Sequence, residues 1–362
     1  MKKATSSFGF GQICSPAPIA FGEASTPPPS FLVTPLDIKD PTSTVSPETP
    51  AKPAVDSHDG PDVASTTTSK DKGKKPLFFF SSQTTPWRDV EWTEEQKTSL
   101  MEMVSSYGPS CREVTQARVL LLGPVGSGKS SFISSVQSVF NKRVTNRAMV
   151  GSSSTSFTKK LQSFNIRGEN GEDPTGLVLC DAMGLGDGET MGLTLHDILS
   201  VIKGHAPEGH KFTPAQPVRS ETVGYVKKPS LQDQIHCVVF VVDASKILTY
   251  PKGLSTTFRQ LREHICDLGL HQVALLTHVD QICSETAKDV TKVYKSGIIR
   301  ETMGKAGALL GMSTSYIIPV KNYSSELDVD VNTDVLLLSA VDHILQYADL
   351  YFQDNKPKTL KL

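Results

Sequence analysis

The sequence predicts an α/β fold in which a mostly parallel central sheet carries helices on both faces. Short apolar runs with the character of buried strands alternate with amphipathic, helix-like segments from residue 117 onward. Asn170-Gly171 predicts a hairpin turn between the second and third strands, and helical segments follow the later ones. The predicted strands are residues 119–122, 161–167, 177–180, 236–242, 273–276 and 316–320.

Residues 1–85 differ in composition from the rest of the chain. Of the 23 prolines, 13 precede Trp87, and they lie among runs of Ser and Thr. Such a segment cannot bury enough apolar surface to offset the entropy lost on ordering. We therefore predict a disordered Pro/Ser/Thr-rich tail over residues 1–85.

A helical extension is predicted over residues 86–116, ahead of the main domain at 117–355. Thr93 has the character of a helix N-cap, and the helix is expected to run towards Tyr107. Its apolar residues recur at helical spacing, which predicts that one face packs on the main domain. Those residues are Leu100, Met103 and Val104.

Charge and apolar patterning limit the classes of partner. The 37 basic and 38 acidic side chains give a formal net charge of −1, so no overall field attracts nucleic acid or an anionic membrane. No apolar run is long enough to span a bilayer, and the six cysteines include no C-x-x-C pair. We expect a cytoplasmic protein with no transmembrane segment and no specific nucleic-acid partner.

A phosphate-binding loop is predicted directly after the first strand. Gly123, Gly128, Lys129 and Ser130 match G-x-x-x-x-G-K-[ST], and the motif lies between an apolar strand and a predicted helix at 129–140. In that position backbone N–H groups and the helix dipole converge on phosphate oxygens. Lys129 would bind the β- and γ-phosphates, and Ser130 would bind Mg²⁺. The alternative is a glycine-rich turn that binds nothing. The predicted contacts are Gly123, Val125, Gly126, Ser127, Gly128, Lys129, Ser130 and Ser131.

Metal and switch elements follow the loop. Asp181 ends the third strand and is predicted to bind Mg²⁺, and Gly184 follows at D-x-x-G spacing, where its N–H would bind the γ-phosphate. The polar loop at 152–158 is the expected first switch. Thr155 is the predicted Mg²⁺ ligand there, with Ser154 and Thr158 as alternatives. An ordinary Ser/Thr surface loop is the competing interpretation.

The fifth strand ends in Thr277-His278-Val279-Asp280, which resembles the guanine-contacting [NT]-K-x-D element of GTPases. A carboxylate at Asp280 can accept both the ring N–H and the exocyclic amine of guanine, whereas adenine presents an acceptor at the ring position. His278 replaces the usual lysine, whose stem packs over the base. Asn322 lies where a further base-contacting loop is expected. These motifs predict a Ras-like P-loop domain that binds GTP and Mg²⁺.

From Pro86 to about Phe352 the chain resembles the interferon-induced protein 44 family over about three quarters of its length. The resemblance implies a cytoplasmic, interferon-inducible nucleotide-binding protein with roles in the antiviral response and in restraint of proliferation. Its best-known members resemble a TLDc domain in their N-terminal half, where this chain has the Pro/Ser/Thr segment. The resemblance is carried by Pro86-Trp87-Arg88, 120–132, Val150-Gly151, Asp181, Gly184-Leu185, 235–245, 274–280 and 322–326.

Three functional hypotheses follow. Ras-type enzymes place a Gln after D-x-x-G to orient the attacking water, but the residue here is Leu185, so hydrolysis should be slow unless a partner or a homodimer supplies the missing group. The first hypothesis is a slow GTPase whose switches, 152–158 and 181–188, recruit an unidentified protein effector. The second is a nucleotide-binding scaffold without significant hydrolysis. The third, an ATPase or small-molecule kinase, is disfavoured by Asp280.

Overall fold

The computed structural model describes residues 84–145, 158–168, 173–186, 192–213 and 215–355. These residues all belong to one structural unit, Gly73–Leu362. Most of the predicted tail lies outside the described residues, as do the Asn170-Gly171 turn, Ser154 and Thr155. No helix in the described ranges is long and apolar enough to cross a membrane.

Six strands form one sheet in the described part of the chain. They are β1 (Ala117–Leu122), β2 (Gln162–Arg167), β3 (Pro174–Asp181), β4 (Cys237–Asp243), β5 (His271–Thr277) and β6 (Ile317–Pro319). The spatial order is β2-β3-β1-β4-β5-β6. Only the β2–β3 pair is antiparallel; the other four pairings are parallel. The mostly parallel sheet is therefore confirmed.

Eight α-helices lie in the described ranges. They are α1 (Glu94–Ser106), α2 (Lys129–Asn141), α3 (Leu195–Ile202), α4 (Lys252–Asp267), α5 (Val279–Ile282), α6 (Ser284–Lys288), α7 (Gly297–Leu310) and α8 (Val331–Asp354). All seven residues of β4 are buried, although successive side chains of a strand point to opposite faces. The sheet is thus covered on both sides, with α1 and α2 each packed on α8 and with α4 packed on α7.

The predicted N-terminal helix is α1. Thr93 caps it by accepting a hydrogen bond of 3.1 Å from the backbone N–H of Gln96. The helix buries Leu100, Met101 and Val104, whereas Met103 is only partly buried. It packs against α8 and β3. The extension is therefore in direct contact with the sheet domain.

A buried ion pair strengthens the contact between α1 and α8. Lys97 Nζ lies 3.1 Å from Asp334 Oδ2, and the Asp334 side chain is fully buried. Asp334 also accepts a hydrogen bond of 2.7 Å from the hydroxyl of Tyr323. The backbone N–H of Tyr323 in turn donates to Ser135 Oγ of α2 at 2.9 Å. These bonds fix the loop that carries Asn322.

Candidate functional site

The loop between β1 and α2, residues 123–128 with Lys129 and Ser130, is here called the phosphate loop. Gly128 is the N-cap of α2. Its φ of 91° is a left-handed backbone conformation that residues with a side chain rarely adopt. A Cβ on Gly123 would collide with the carbonyl oxygen of Val241, because β4 passes directly beside the loop. The motif glycines are therefore required by the backbone path.

Lys129 lies at the centre of the phosphate loop and is 7% exposed. Its Nζ donates hydrogen bonds to the carbonyl oxygens of Gly123 at 3.0 Å and Pro124 at 2.9 Å. Burial lowers the pKa of Lys129 to about 8, and the nearby carboxylate of Asp181 opposes that shift. The site thus contains a desolvated ammonium group held by backbone oxygens.

Three oxygen-bearing side chains converge next to that lysine. Ser130 Oγ donates to Asp181 Oδ2 at 2.5 Å, and Thr158 Oγ1 donates to the same oxygen at 3.2 Å. The two hydroxyl oxygens are 3.3 Å apart. The cluster joins α2, the chain before β2 and the end of β3. Of the first-switch candidates, Thr158 is the one that the described residues include.

Asp181 is 1% exposed, and its Oδ1 has no hydrogen-bond partner among the described residues. Burial raises the pKa of this carboxyl group, and the charge of Lys129 opposes the shift. A buried carboxylate oxygen without a partner is costly unless a cation or water binds it. The donor set of one carboxylate and two hydroxyls suits a hard cation such as Mg²⁺.

The D-x-x-G segment after β3 packs onto the phosphate loop. A Cβ on Gly184 would lie 2.9 Å from the backbone nitrogen of Val125, so only glycine fits there. The backbone N–H of Leu185 donates to the carbonyl oxygen of Gly123 at 2.9 Å. The side chain of Leu185 is 4% exposed and belongs to the core. The apolar side chain at this position is therefore a packing residue.

Thr277, at the end of β5, ties the predicted base-contacting element (residues 277–280) to the phosphate loop. Its buried hydroxyl donates to the carbonyl oxygen of Ser127 at 2.7 Å, and the carbonyl oxygen of Val242 is 3.1 Å away. Ser127 Oγ is itself buried without a hydrogen-bond partner in the described part of the chain. Thr277 thus positions neighbouring groups rather than facing solvent.

The other base-contacting candidates surround Gly128. A Cβ on Gly128 would lie 3.4 Å from His278 Cε1, and Asn322 Nδ2 donates to the Gly128 carbonyl oxygen at 3.2 Å. Asn322 Oδ1 is buried without a hydrogen-bond partner among the described residues. Asp280 is half-buried, and its carboxylate has no hydrogen-bond or ion-pair partner in the described ranges. The structure thus brings residues 277, 278 and 322 to the phosphate loop.

Asp243, at the end of β4, is a site residue that the motif search missed. It is 2% exposed and accepts hydrogen bonds from the backbone N–H and hydroxyl of Ser245 at 2.9 and 2.7 Å. Lys246 Nζ and His278 Nδ1 lie 3.2 and 3.5 Å from its two oxygens. The sequence does contain a signal for Asp243, because it is an acidic residue at the end of an apolar strand, as Asp181 is. Ser131 is half-buried next to Ser130, with no side-chain contact that bears on the site.

No known protein-family model matches this chain. Among solved structures it resembles Era from Aquifex aeolicus bound to GDP and AlF4⁻, with 14% identity and TM-score 0.33 over 64% of this chain and 56% of that one. It also resembles a probable GTP-binding protein engB, with 12% identity and TM-score 0.36 over 64% of this chain and 98% of that one. These scores carry no information on what this chain binds.

Curated relatives give a stronger match. Interferon-induced protein 44 of Mus musculus is 35% identical over 276 residues, which cover 74% of this chain and 65% of that protein. The Homo sapiens protein of the same name is 36% identical over 74% of this chain. The Homo sapiens 44-like protein is also 36% identical, over 72% of this chain. The chain spans 60% and 58% of the lengths of those two human proteins. Over about three quarters of its length, the chain is therefore homologous to proteins named interferon-induced protein 44 and 44-like.

Proposed function

We propose that this chain binds a guanine nucleoside triphosphate together with Mg²⁺. The observation that carries the proposal is the convergence of Lys129, Ser130 and Asp181 beneath a glycine loop that opens α2. The N-terminus of the 13-residue helix α2 and a buried ammonium group favour a polyphosphate at this position. The side chains of Lys129 and Asp181 are desolvated, as expected of groups that exchange water for ligand.

Mg²⁺ fits the oxygen cluster of Ser130, Thr158 and Asp181. The partnerless Oδ1 of Asp181 offers an anionic oxygen, directly or through water, and the Ser130 hydroxyl lies beside it. When bound, the ion would screen the negative charge of the phosphate oxygens. Thr155 stays a candidate ligand from the sequence, while the geometry favours Thr158.

Guanine selectivity is assigned to Asp280. Its carboxylate is free of protein partners in the described residues and follows β5, whose end contacts the phosphate loop through Thr277. A carboxylate matches the two neighbouring donors of guanine and repels the ring acceptor of adenine. Asn322 and His278 would complete the surroundings of the base on the Gly128 side.

The decisive experiment is titration of the full chain with fluorescent GTP and ATP analogues in Mg²⁺. We expect GTP to bind more tightly than ATP, Lys129→Ala to abolish binding of both, and Asp280→Ala to reduce the preference for guanine. Asp267→Ala, an exposed carboxylate at the end of α4, is the matched control and should change nothing. Absence of nucleotide binding by the unaltered chain would overturn the proposal.

A second candidate function is favoured by one observation. Because Leu185 is buried at the position where Ras-type enzymes place a water-orienting Gln, nucleotide binding without significant turnover is a consistent alternative. In that case GTP would be a structural ligand of a scaffold that acts through protein partners. A slow GTPase switch would instead use the segments around 152–158 and 181–188 to recruit an effector, with a homodimer as a further arrangement.

We also propose an interferon-induced, antiviral role in the cytoplasm. The names of the relatives, which match about three quarters of this chain, support the interferon-induced part of this role. The test compares transcript and protein levels with and without interferon in cells of the source species, followed by localisation of the tagged chain. Unchanged levels after interferon would overturn the inducible role.

A further inference from the structure

Lys246 places a second ammonium group beside the phosphate loop. It ends the 3-10 turn Ala244–Lys246 that follows β4. A Cβ on Gly126 would lie 3.6 Å from Lys246 Nζ, so the ammonium group lies directly next to the loop backbone. The side chain is 50% exposed. Lys246 is therefore close enough to reach a ligand in the loop while staying accessible to it.

Asp243 orients this lysine. Asp243 Oδ2 lies 3.2 Å from Lys246 Nζ, and the carboxylate is almost fully buried and anchored by Ser245. An ammonium group has three N–H donors, and the contact with Asp243 Oδ2 uses one of them. Among the described residues, Lys246 has no other ion-pair or hydrogen-bond partner for its ammonium group. Donor capacity is thus left for a ligand.

The carboxylate of Asp243 also lies close to the base-contacting element. His278 stands where related elements have a lysine, and its Nδ1 lies 3.5 Å from Asp243 Oδ1. Lys246 and His278 therefore lie next to different oxygens of the same carboxylate. Lys246 thus places a lysine ammonium group next to the loop, although position 278 is a histidine.

We propose that Lys246 contacts the phosphate portion of the bound nucleotide on the Gly126 side of the loop. The contact gives the site a second cation in addition to Lys129, which points to Gly123 and Pro124. This inference rests on the proposed function, since it names a further residue of the same site. An ammonium–phosphate contact at a half-exposed position contributes to affinity and is weakened by salt.

The test compares GTP binding by the full chain and by Lys246→Met, Lys246→Arg and Lys252→Met. Methionine keeps most of the stem but removes the charge, arginine keeps the charge, and Lys252 is an exposed lysine at the start of α4. We expect about tenfold weaker binding for Lys246→Met and little change for the other two variants. The dependence of affinity on salt should also become shallower in Lys246→Met alone. The chain should stay folded, because Ser245 and His278 still contact the carboxylate of Asp243.

The outcomes separate this inference from the function beneath it. If the unaltered chain binds GTP and Lys246→Met binds equally well with the same salt dependence, the role of Lys246 is wrong and the proposed function stands. If Lys246→Met loses affinity only in proportion to a lowered melting temperature, its role is structural and the inference is also wrong. If the unaltered chain binds no nucleotide, the proposed function and the inference fail together.

Discussion

The hydroxyl of Thr277 donates a hydrogen bond of 2.7 Å to the carbonyl oxygen of Ser127, joining two segments that are 150 residues apart in sequence. The bond lies between the end of β5 and the phosphate loop, and both residues are fully buried. It therefore fixes the distance between the predicted phosphate and base subsites. A nucleotide that spans both subsites depends on this distance.

Thr277→Val should weaken guanine-nucleotide binding and destabilise the chain. Valine has nearly the same shape but cannot donate to the Ser127 oxygen, and a buried oxygen without a partner costs about 1–3 kcal/mol. Urea unfolding and GTP titration measure the two effects. Thr256→Val, at an exposed position of α4, is the control and should change neither quantity. Unchanged stability in Thr277→Val would mean that the bond contributes nothing.

Thr158→Val should raise the Mg²⁺ concentration needed for half-maximal GTP binding. The Thr158 hydroxyl contacts both Ser130 and Asp181, so its loss removes an oxygen from the expected metal site. Titration of Mg²⁺ at fixed GTP measures the midpoint. Thr155→Val is the comparison, and a shift in that variant but not in Thr158→Val would support the assignment made from sequence.

The mostly parallel sheet and the order of strands and helices along the chain could be predicted from the sequence, as could a glycine-containing turn between β1 and α2. Those predictions rest on local rules: apolar runs for buried strands, and glycines where a Cβ such as one on Gly123 would meet β4. The predicted N-terminal helix corresponds to α1, in which Met101 is buried and Met103 is only partly buried. Met101 and Met103 are two residues apart and lie on different sides of the helix, and the sequence did not show which of the two faces the core.

Other features of the site depend on contacts between distant segments. The interaction of Lys246 with the loop requires β4 to lie beside β1, and no local pattern reports that adjacency. The role of Thr277 as a link to Ser127 likewise follows from β5 lying next to β4. The polar loop at 152–158 contains several hydroxyl side chains, and their spacing does not show which one would bind Mg²⁺. Asp243 was overlooked because it matches no motif.

Hydrolysis of bound GTP should be slower than about 10⁻³ per second, comparable with the unstimulated rate of Ras. Leu185 is buried against the phosphate loop and offers no polar group to orient water. A single-turnover assay with radiolabelled GTP measures the rate, and the Lys129→Ala chain gives the background. A faster rate would show that another residue or a second copy supplies the missing group.

Lys97→Met should destabilise the chain by about 3 kcal/mol, because it leaves the buried carboxylate of Asp334 without its cation. Adding Asp334→Asn should recover part of the loss by removing the buried charge. The control is Lys305→Met, which breaks the half-exposed pair with Glu301 and should cost less than about 1 kcal/mol. Equal losses for the two lysine variants, measured by urea unfolding, would contradict the burial argument.

His236 should make stability fall as the pH drops below neutrality. Its ring is fully buried between Arg118 and Leu231, with Nδ1 accepting from the Arg118 N–H at 2.9 Å and Nε2 lying 2.9 Å from the Leu231 carbonyl oxygen. Burial lowers its pKa from 6.5 to about 4. The unfolded chain therefore binds the proton first between these values, and linkage predicts a loss approaching 3 kcal/mol, on the order of 1.4 kcal/mol per pH unit.

Urea unfolding at pH 7 and pH 4.5 tests the prediction for the unaltered chain and for His236→Gln. The variant should be less stable at pH 7 but should lose less stability on acidification, because it has no imidazole to protonate on unfolding. His264→Gln, at an exposed position of α4, is the matched control. If His236→Gln and the unaltered chain lose the same free energy between the two pH values, acid sensitivity comes from other groups, such as the carboxyl groups of the core.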